Sequence, residues 1–267
     1  MNDENSGTPT RPLAVVTGAS AGIGKAFCEK LAARGYDLIV ASRNAGRLES
    51  LRQDLEGRYE VAVEVFPADL TIDTDVSLLA ERLTRSPRLA LLVNNAGFGT
   101  RGKLADASPA LQESMLRLHV VAPMRLTQAA LPVLLANRRG GIVNVSSVAS
   151  FIYSAGNVNY CATKAYLTTF SEGLAAELAG SGVTVQALCP GFTRSEFHQR
   201  MAADVSELPR RMWMSAERVV DASLRALDRG RPVVCVPGLR YKLIVLLLRF
   251  IPRGALRRVT ELRARTV

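Results

Sequence analysis

The chain has 267 residues, 48% of them hydrophobic, with 34 basic and 24 acidic side chains and a net charge of +10. That size and apolar content suit one large domain with a full core, and no linker, repeat or low-complexity tract divides it. Met1–Thr10 is polar, reads as a frayed tail and lacks the apolar core of a secretory signal. Cys28, Cys161, Cys189 and Cys235 show neither CxxC nor histidine spacing, which argues against a metal site and for free thiols in a reducing cytoplasm.

Leu13–Val16 is a short apolar run with strand character, and Thr17-Gly18-Ala19-Ser20-Ala21-Gly22-Ile23-Gly24 follows it directly. Lys25–Arg34 then carries helical apolar spacing and stops at Gly35. Strand, tight glycine turn and helix N-terminus make a phosphate cradle, because free backbone N–H groups and the helix dipole both favour an anion. Gly18, Ser20, Ala21, Gly22, Ile23 and Gly24 are the candidate contacts, in a GxxxGxG spacing rather than GxGxxG. Downstream, strand patterns at 37–42, 61–66, 89–94, 140–145, 183–188 and 231–236 join the one at 13–17. Helical patterns fall near 23–34, 44–56, 75–85, 109–136, 158–180 and 215–229. Most of the strand segments are continuously apolar, as in parallel strands covered on both faces. The expectation is a doubly wound, Rossmann-type α/β fold: a parallel sheet of about seven strands with helices on both sides. Ligands of such sheets bind at the carboxyl ends of the strands. Gly18, Arg43, Asp69, Asn95, Ser147 and Pro190 each lie just past one.

The second strand ends in Ala41-Ser42-Arg43, without the carboxylate that holds the ribose 2′-OH of NAD. Arg43 reads either as a guanidinium fork for a 2′-phosphate, which favours NADP(H) over NAD(H), or as an ordinary arginine at a helix start. Tyr160 and Lys164 are four apart, on one face of a helix, and Ser147 lies thirteen residues earlier. An ammonium beside the phenol is expected to lower the tyrosine pKa, which readies it to exchange a proton with a carbonyl or alcohol oxygen.

Taken with Asp69-Leu70, Asn94-Asn95-Ala96-Gly97 and Pro190-Gly191 in the same order, these motifs resemble those of classical short-chain dehydrogenases/reductases over about residues 11–238. The resemblance implies an NAD(P)-dependent oxidoreductase acting on a small carbonyl or alcohol. Tyr160 would be its acid/base, Lys164 would lower that pKa and hold the nicotinamide ribose, and Ser147 would polarise the carbonyl. It further implies that Asp69 and Leu70 flank the adenine. Asn95, Ala96 and Gly97 would line the middle of the cofactor, and Pro190, Gly191, Thr193 and Ser195 would contact it too. Asn94 reads as a tie between strands. The family usually has an asparagine 41 residues before the tyrosine, where this chain has His119. His119 either takes over its role in a water relay to the lysine or packs in the helix. Many relatives are homodimers or homotetramers, which makes a cytoplasmic homo-oligomer the expectation. The other functional class is a redox-sensing or scaffolding protein that keeps the cleft with little turnover.

Phe192, Phe197, Met201, Leu208, Met212, Trp213 and Met214 follow Pro190-Gly191 and suit a lid over an apolar substrate, or ordinary core. The charge is concentrated near the end: eleven basic residues lie from Arg225 onward against Asp228 and Glu261. Residues 239–267 read as a basic, apolar extension of the 11–238 domain. Its run Leu243–Leu248 is too short to span a bilayer. A peripheral contact with the inner membrane face, a helix docked over the active site and a subunit contact are all compatible with it. Nucleic acid is not expected, since only Tyr241 and Phe250 offer stacking rings.

Overall fold

The computed structural model describes residues 11–196, 209–251 and Gly254. The tail Met1–Thr10, the lid residues Phe197, Met201 and Leu208, and the chain after Ile251 apart from Gly254 lie outside the described residues.

Alternate residues of β1 (Leu13–Thr17) serve two cores: Ala14 and Val16 pack toward one side of the sheet, Leu13 and Val15 toward the other. That two-sided burial is why the strands read as unbroken apolar runs. β2 (Asp37–Ser42), β4 (Leu89–Asn94), β5 (Gly140–Val145) and β6 (Val183–Leu188) fall where the sequence predicts them. β3 (Val63–Pro67) starts later than the predicted 61–66, and β7 shrinks to Val234–Cys235. The short β7 is an edge strand paired only with Ala187 and Leu188. Pro232 has no N–H to extend that ladder toward its start. All pairings are parallel, in the order β3-β2-β1-β4-β5-β6-β7. The order reverses between β1 and β4, and the crevice beyond that switch point is the ligand position of this architecture.

Helices α1 (Gly22–Ala32), α2 (Ala45–Arg58) and α7 (Ala216–Asp228) cover one face. α3 (Asp73–Thr84), α5 (Ala122–Asn137) and α6 (Val158–Glu177) cover the other, with α4 (Pro109–Leu116) leading into α5. The predicted single helix over 109–136 is interrupted: Arg117–Val121 winds as a π-helix, with Ala122 N–H bonding back to Arg117 O. Pro123 has no N–H to return to the His119 carbonyl, so the regular ladder cannot continue there. Pro109–Asn137 is long and apolar enough to cross a membrane, but its apolar residues Leu126, Ala130 and Leu134 pack against the sheet. A further helix, α8 (Leu239–Phe250), inserts Tyr241 and Val245 into a third small core with Ala187, Cys189 and Val236.

Candidate active site

The glycine loop owes its shape to positions that a side chain could not occupy. Gly18 and Gly22 have φ of +64° and +56°, and a Cβ on Gly24 would lie 2.2 Å from Gly18 O. The loop is tied to the end of β4: Asn95 Nδ2 donates to Thr17 O at 2.9 Å and to Gly18 O at 3.2 Å. Thr17 Oγ1 accepts from Asn95 N (2.9 Å) and Ala96 N (3.0 Å) and donates to Val93 O (3.3 Å). α1 starts at Gly22 with no side-chain cap, so its first N–H groups remain available to an anion.

The ribose end of the crevice lies past β2 and β3. Arg43 Nη1 is 3.9 Å from Asp69 Oδ2, and the arginine side chain is 71% exposed. Asp69 is steadied by Thr71, whose N and Oγ1 donate to its Oδ1, while Leu70 is buried beside it. Ser42 Oγ lines the same wall, buried and without a hydrogen-bond partner among the described residues. A guanidinium and an unpaired hydroxyl on one cleft wall suit a phosphate, and the glycine cradle fits a pyrophosphate. Sequence reasoning missed a second arginine here. Arg47, one turn along α2, pairs with Glu196 at 2.8 Å across the mouth of the cleft. Its spacing of four from Arg43 was a usable signal; the partner, 149 residues away, was not.

At the reacting end, β5 delivers Val145-Ser146-Ser147 against α6. Ser146 is buried and donates to Lys164 O at 2.8 Å, so it locks α6 to the strand. Ser147 is held by Ala149 N–H at 3.1 Å and hydrogen-bonds the Tyr160 side chain. Lys164 is buried, donates to Val145 O at 2.9 Å and lies 5.7 Å from the Tyr160 ring centroid. The expected lowering of the tyrosine pKa is corrected here. Burial pushes Tyr160 up to about 12, and the bond from Ser147 offsets this only in part. Burial also depresses Lys164, to about 8, with Cys189 opposing. The enclosed phenol therefore keeps its proton at neutral pH, while its edge stays open to the cleft as a proton donor.

His119 lies behind that wall rather than on it. Its Nε2 accepts from Phe98 N–H at 3.0 Å, and its Nδ1 faces Thr163 Oγ1 at 3.0 Å. Thr163 Oγ1 itself donates to Tyr160 O at 2.9 Å, so Nδ1 carries the ring proton and His119 is the neutral tautomer. Burial, then Lys164, hold its pKa well below the usual histidine value. Both ring nitrogens are thus engaged by protein, one by the loop after β4 and the other by the catalytic helix. A Cβ on Gly97 would lie 2.9 Å from Nε2, so the histidine fills the space beside that glycine. Asn94 ties strands as expected, donating to Asn144 Oδ1 at 2.8 Å and to Thr127 Oγ1 at 3.2 Å.

Apart from Gly24 and His119, every site residue read from the sequence lines one cleft of about 1320 Å³. Gly24 contributes by close packing against the loop. Pro190, Gly191, Thr193 and Ser195 close the cleft, and Ser195 Cβ sits where a side chain on Gly22 would go. Among the lid residues, Phe192 and Trp213 have ring centroids 5.7 Å apart, and Met214 N donates to Phe192 O at 2.9 Å. Tyr241 anchors this segment: its hydroxyl accepts from Phe192 N–H (2.9 Å) and donates to Met212 O (2.6 Å). Its ring occupies the position of a Cβ on Gly191. Nothing local in the sequence marks Tyr241 for that role. Asn157 Oδ1 is a second orphan buried acceptor on the cleft wall, three residues before Tyr160.

The family described as short chain dehydrogenase matches residues 12–206. A curated relative, the 3-oxoacyl-[acyl-carrier-protein] reductase FabG of Aquifex aeolicus, is 32% identical over 197 residues, 73% of this chain and 79% of that protein. Among solved structures, a short-chain dehydrogenase from Sphingobium yanoikuyae in complex with NADPH superposes with a TM-score of 0.81 at 35% identity, covering 90% of this chain and 96% of that one. The bulky-bulky ketone specific alcohol dehydrogenase from Comamonas testosteroni gives 0.78 at 32% identity, over 90% and 95%.

Proposed function

The chain belongs to the short-chain dehydrogenase family, and we propose that it reduces an apolar ketone or aldehyde with NADPH as hydride donor. As an oxidoreductase of that family it acts on alcohol and ketone substrates with a nicotinamide cofactor. The observation that carries the finer reading is a single cleft that joins the glycine cradle, the Ser42–Arg43 corner and the Ser147–Tyr160–Lys164 set. When bound, the nicotinamide supplies the hydride.

The roles of the protein's own groups follow from their surroundings. Ser147 holds the substrate oxygen, and Tyr160 passes its proton to that oxygen as negative charge develops. The phenol, pushed up to about 12 by burial, carries at neutral pH the proton that reduction of a carbonyl needs. Lys164, whose ammonium is held by Val145 O, would hold the nicotinamide ribose and balance the phenolate left behind. Arg43, with Ser42 on the same wall, would hold the 2′-phosphate of NADPH, and the Sphingobium relative in complex with NADPH supports that choice. Phe192 gives the cleft an apolar wall, backed by Trp213 and by Met212 and Met214 in the small core beneath α8, and the specificity of the Comamonas relative for bulky ketones supports a large substrate. His119 is a positioning residue that holds the Phe98 loop against the catalytic helix. The family resemblance supports a cytoplasmic homo-oligomer.

A panel of carbonyl compounds and alcohols incubated with purified protein, followed by NADPH absorbance, tests the proposal. Faster turnover of bulky apolar ketones than of sugars and small polar carbonyls is expected. Absence of NADPH-dependent turnover across such a panel overturns it.

A further inference from the structure

Helix α8 presents two different faces. Tyr241 and Val245 are buried beneath it, whereas Leu239, Leu243, Leu246, Leu247 and Phe250 recur at intervals of three and four and are each more than half exposed. Five large apolar side chains in one outward stripe are more than scattered surface residues. Arg240 and Lys242 are exposed on the same helix, and Leu239–Phe250 contains no carboxylate.

Beside the stripe runs a groove of about 490 Å³ between α8, α7 and the segment 231–238. Its walls carry Arg225, Arg229, Arg231 and Lys242, together with Val245 and Leu246. The α7 carboxylates Asp221 and Asp228 are turned away, to Lys30 and Arg34 of α1. Among the described residues, none of the four groove cations is in an ion pair. Leu246 belongs both to the groove and to the outward stripe, so cationic hollow and apolar surface are continuous. That combination matches an anionic phospholipid: phosphate in the groove, acyl chains along the stripe.

We propose that α8 and the adjoining cationic groove dock the protein on an anionic phospholipid bilayer surface and hold the substrate lid at the leaflet. Tyr241 makes the connection, since the helix that would rest on lipid also bonds Phe192 and Met212 of the lid. The docking stands independently of the reaction. Only its consequence, that the substrate is a carbonyl dissolved in the leaflet, rests on the proposed reductase activity.

The test is co-sedimentation of full-length protein with phosphatidylcholine vesicles with and without phosphatidylglycerol, at low and high salt. Binding to the anionic vesicles alone, lost as salt rises, is expected. Each basic residue near such a surface contributes about fivefold, so Arg225→Ala/Arg229→Ala/Arg231→Ala should weaken binding about a hundredfold. Leu243→Glu/Leu247→Glu should abolish it, and circular dichroism should show both variants folded. If one variant unfolds, the other reads the same claim. Four results would overturn the docking: no binding of wild type at low salt, equal binding to neutral vesicles, displacement by millimolar glycerol phosphate, or a wild-type oligomer that ignores vesicles and that Leu243→Glu/Leu247→Glu splits. A ketone carried in vesicles should be reduced faster by wild type than by the arginine variant, while a soluble ketone shows no difference. Equal rates on both, with docking intact, would overturn the leaflet-substrate consequence alone.

Discussion

Replacing Arg43 by alanine tests how the cofactor is chosen. The guanidinium sits past β2, 3.9 Å from Asp69 and largely open to solvent, in the same cleft wall as Ser42. A hydrogen bond to a charged group contributes about 1.5–3 kcal/mol, and exposure of this side chain places it at the lower end. A preference of about 1.5 kcal/mol is about tenfold in affinity for NADPH over NADH. Arg47 does not replace Arg43 at once, because its guanidinium is held by Glu196 at 2.8 Å. Arg43→Ala should therefore remove most of the preference and leave NADH affinity unchanged. Adding Glu196→Gln should free Arg47 and restore part of it. Calorimetric titration of both nucleotides into the three proteins at one fixed ionic strength measures all six affinities. Equal affinities in wild type, or a preference that survives Arg43→Ala, would refute the reasoning.

Lys164 sits at about 8 when folded against 10.5 unfolded, so between those values the unfolded chain holds a proton that the folded protein has released, and stability rises with pH. The contribution is at most about 3 kcal/mol. The denaturant-midpoint difference between wild type and Lys164→Met should accordingly move in favour of wild type from pH 8 to 10; a constant difference would contradict the burial argument. His119→Asn is too short to reach both Phe98 N and Thr163 Oγ1, and should cost about 1–3 kcal/mol of stability while turnover persists. Unchanged stability with full turnover would point back to the water relay, because asparagine is the residue the family uses at that place. Tyr241→Phe removes the partners of Phe192 N–H and Met212 O, and should raise KM for bulky substrates more than it lowers kcat. An unchanged KM would mean that the lid is positioned by other contacts.

The fold was legible because both faces of the sheet are covered. Leu13–Val16, Ile39–Ala41 and Leu91–Val93 are apolar at every position, so the runs read as strands without any knowledge of their neighbours. The glycine loop was legible for a related reason, since Gly18, Gly22 and Gly24 each sit where a side chain would strain the backbone or collide. The edge strand β7 was overextended because only pairing decides where an edge ends, and Pro232 was the one local sign. The π-turn at Arg117–Val121 was missed, although Pro123 marked the place where the ladder fails. What stayed hidden depends on distance in the chain. Arg47 with Glu196, and Tyr241 with Phe192, are joined only by the folded structure. The protonation of Tyr160 was misjudged because charge proximity is visible in a four-residue spacing, whereas enclosure of the phenol is not.

The central claim is that Tyr160 gives its proton to a carbonyl oxygen in a cleft whose cofactor site does not depend on that hydroxyl. Its most direct test is Tyr160→Phe, with NADPH affinity and single-turnover oxidation of bound NADPH measured on one confirmed ketone. The account predicts cofactor affinity within about twofold of wild type and a turnover at least about a hundredfold lower, since general acid catalysis contributes about that much or more. Substantial turnover by the phenylalanine variant would contradict it.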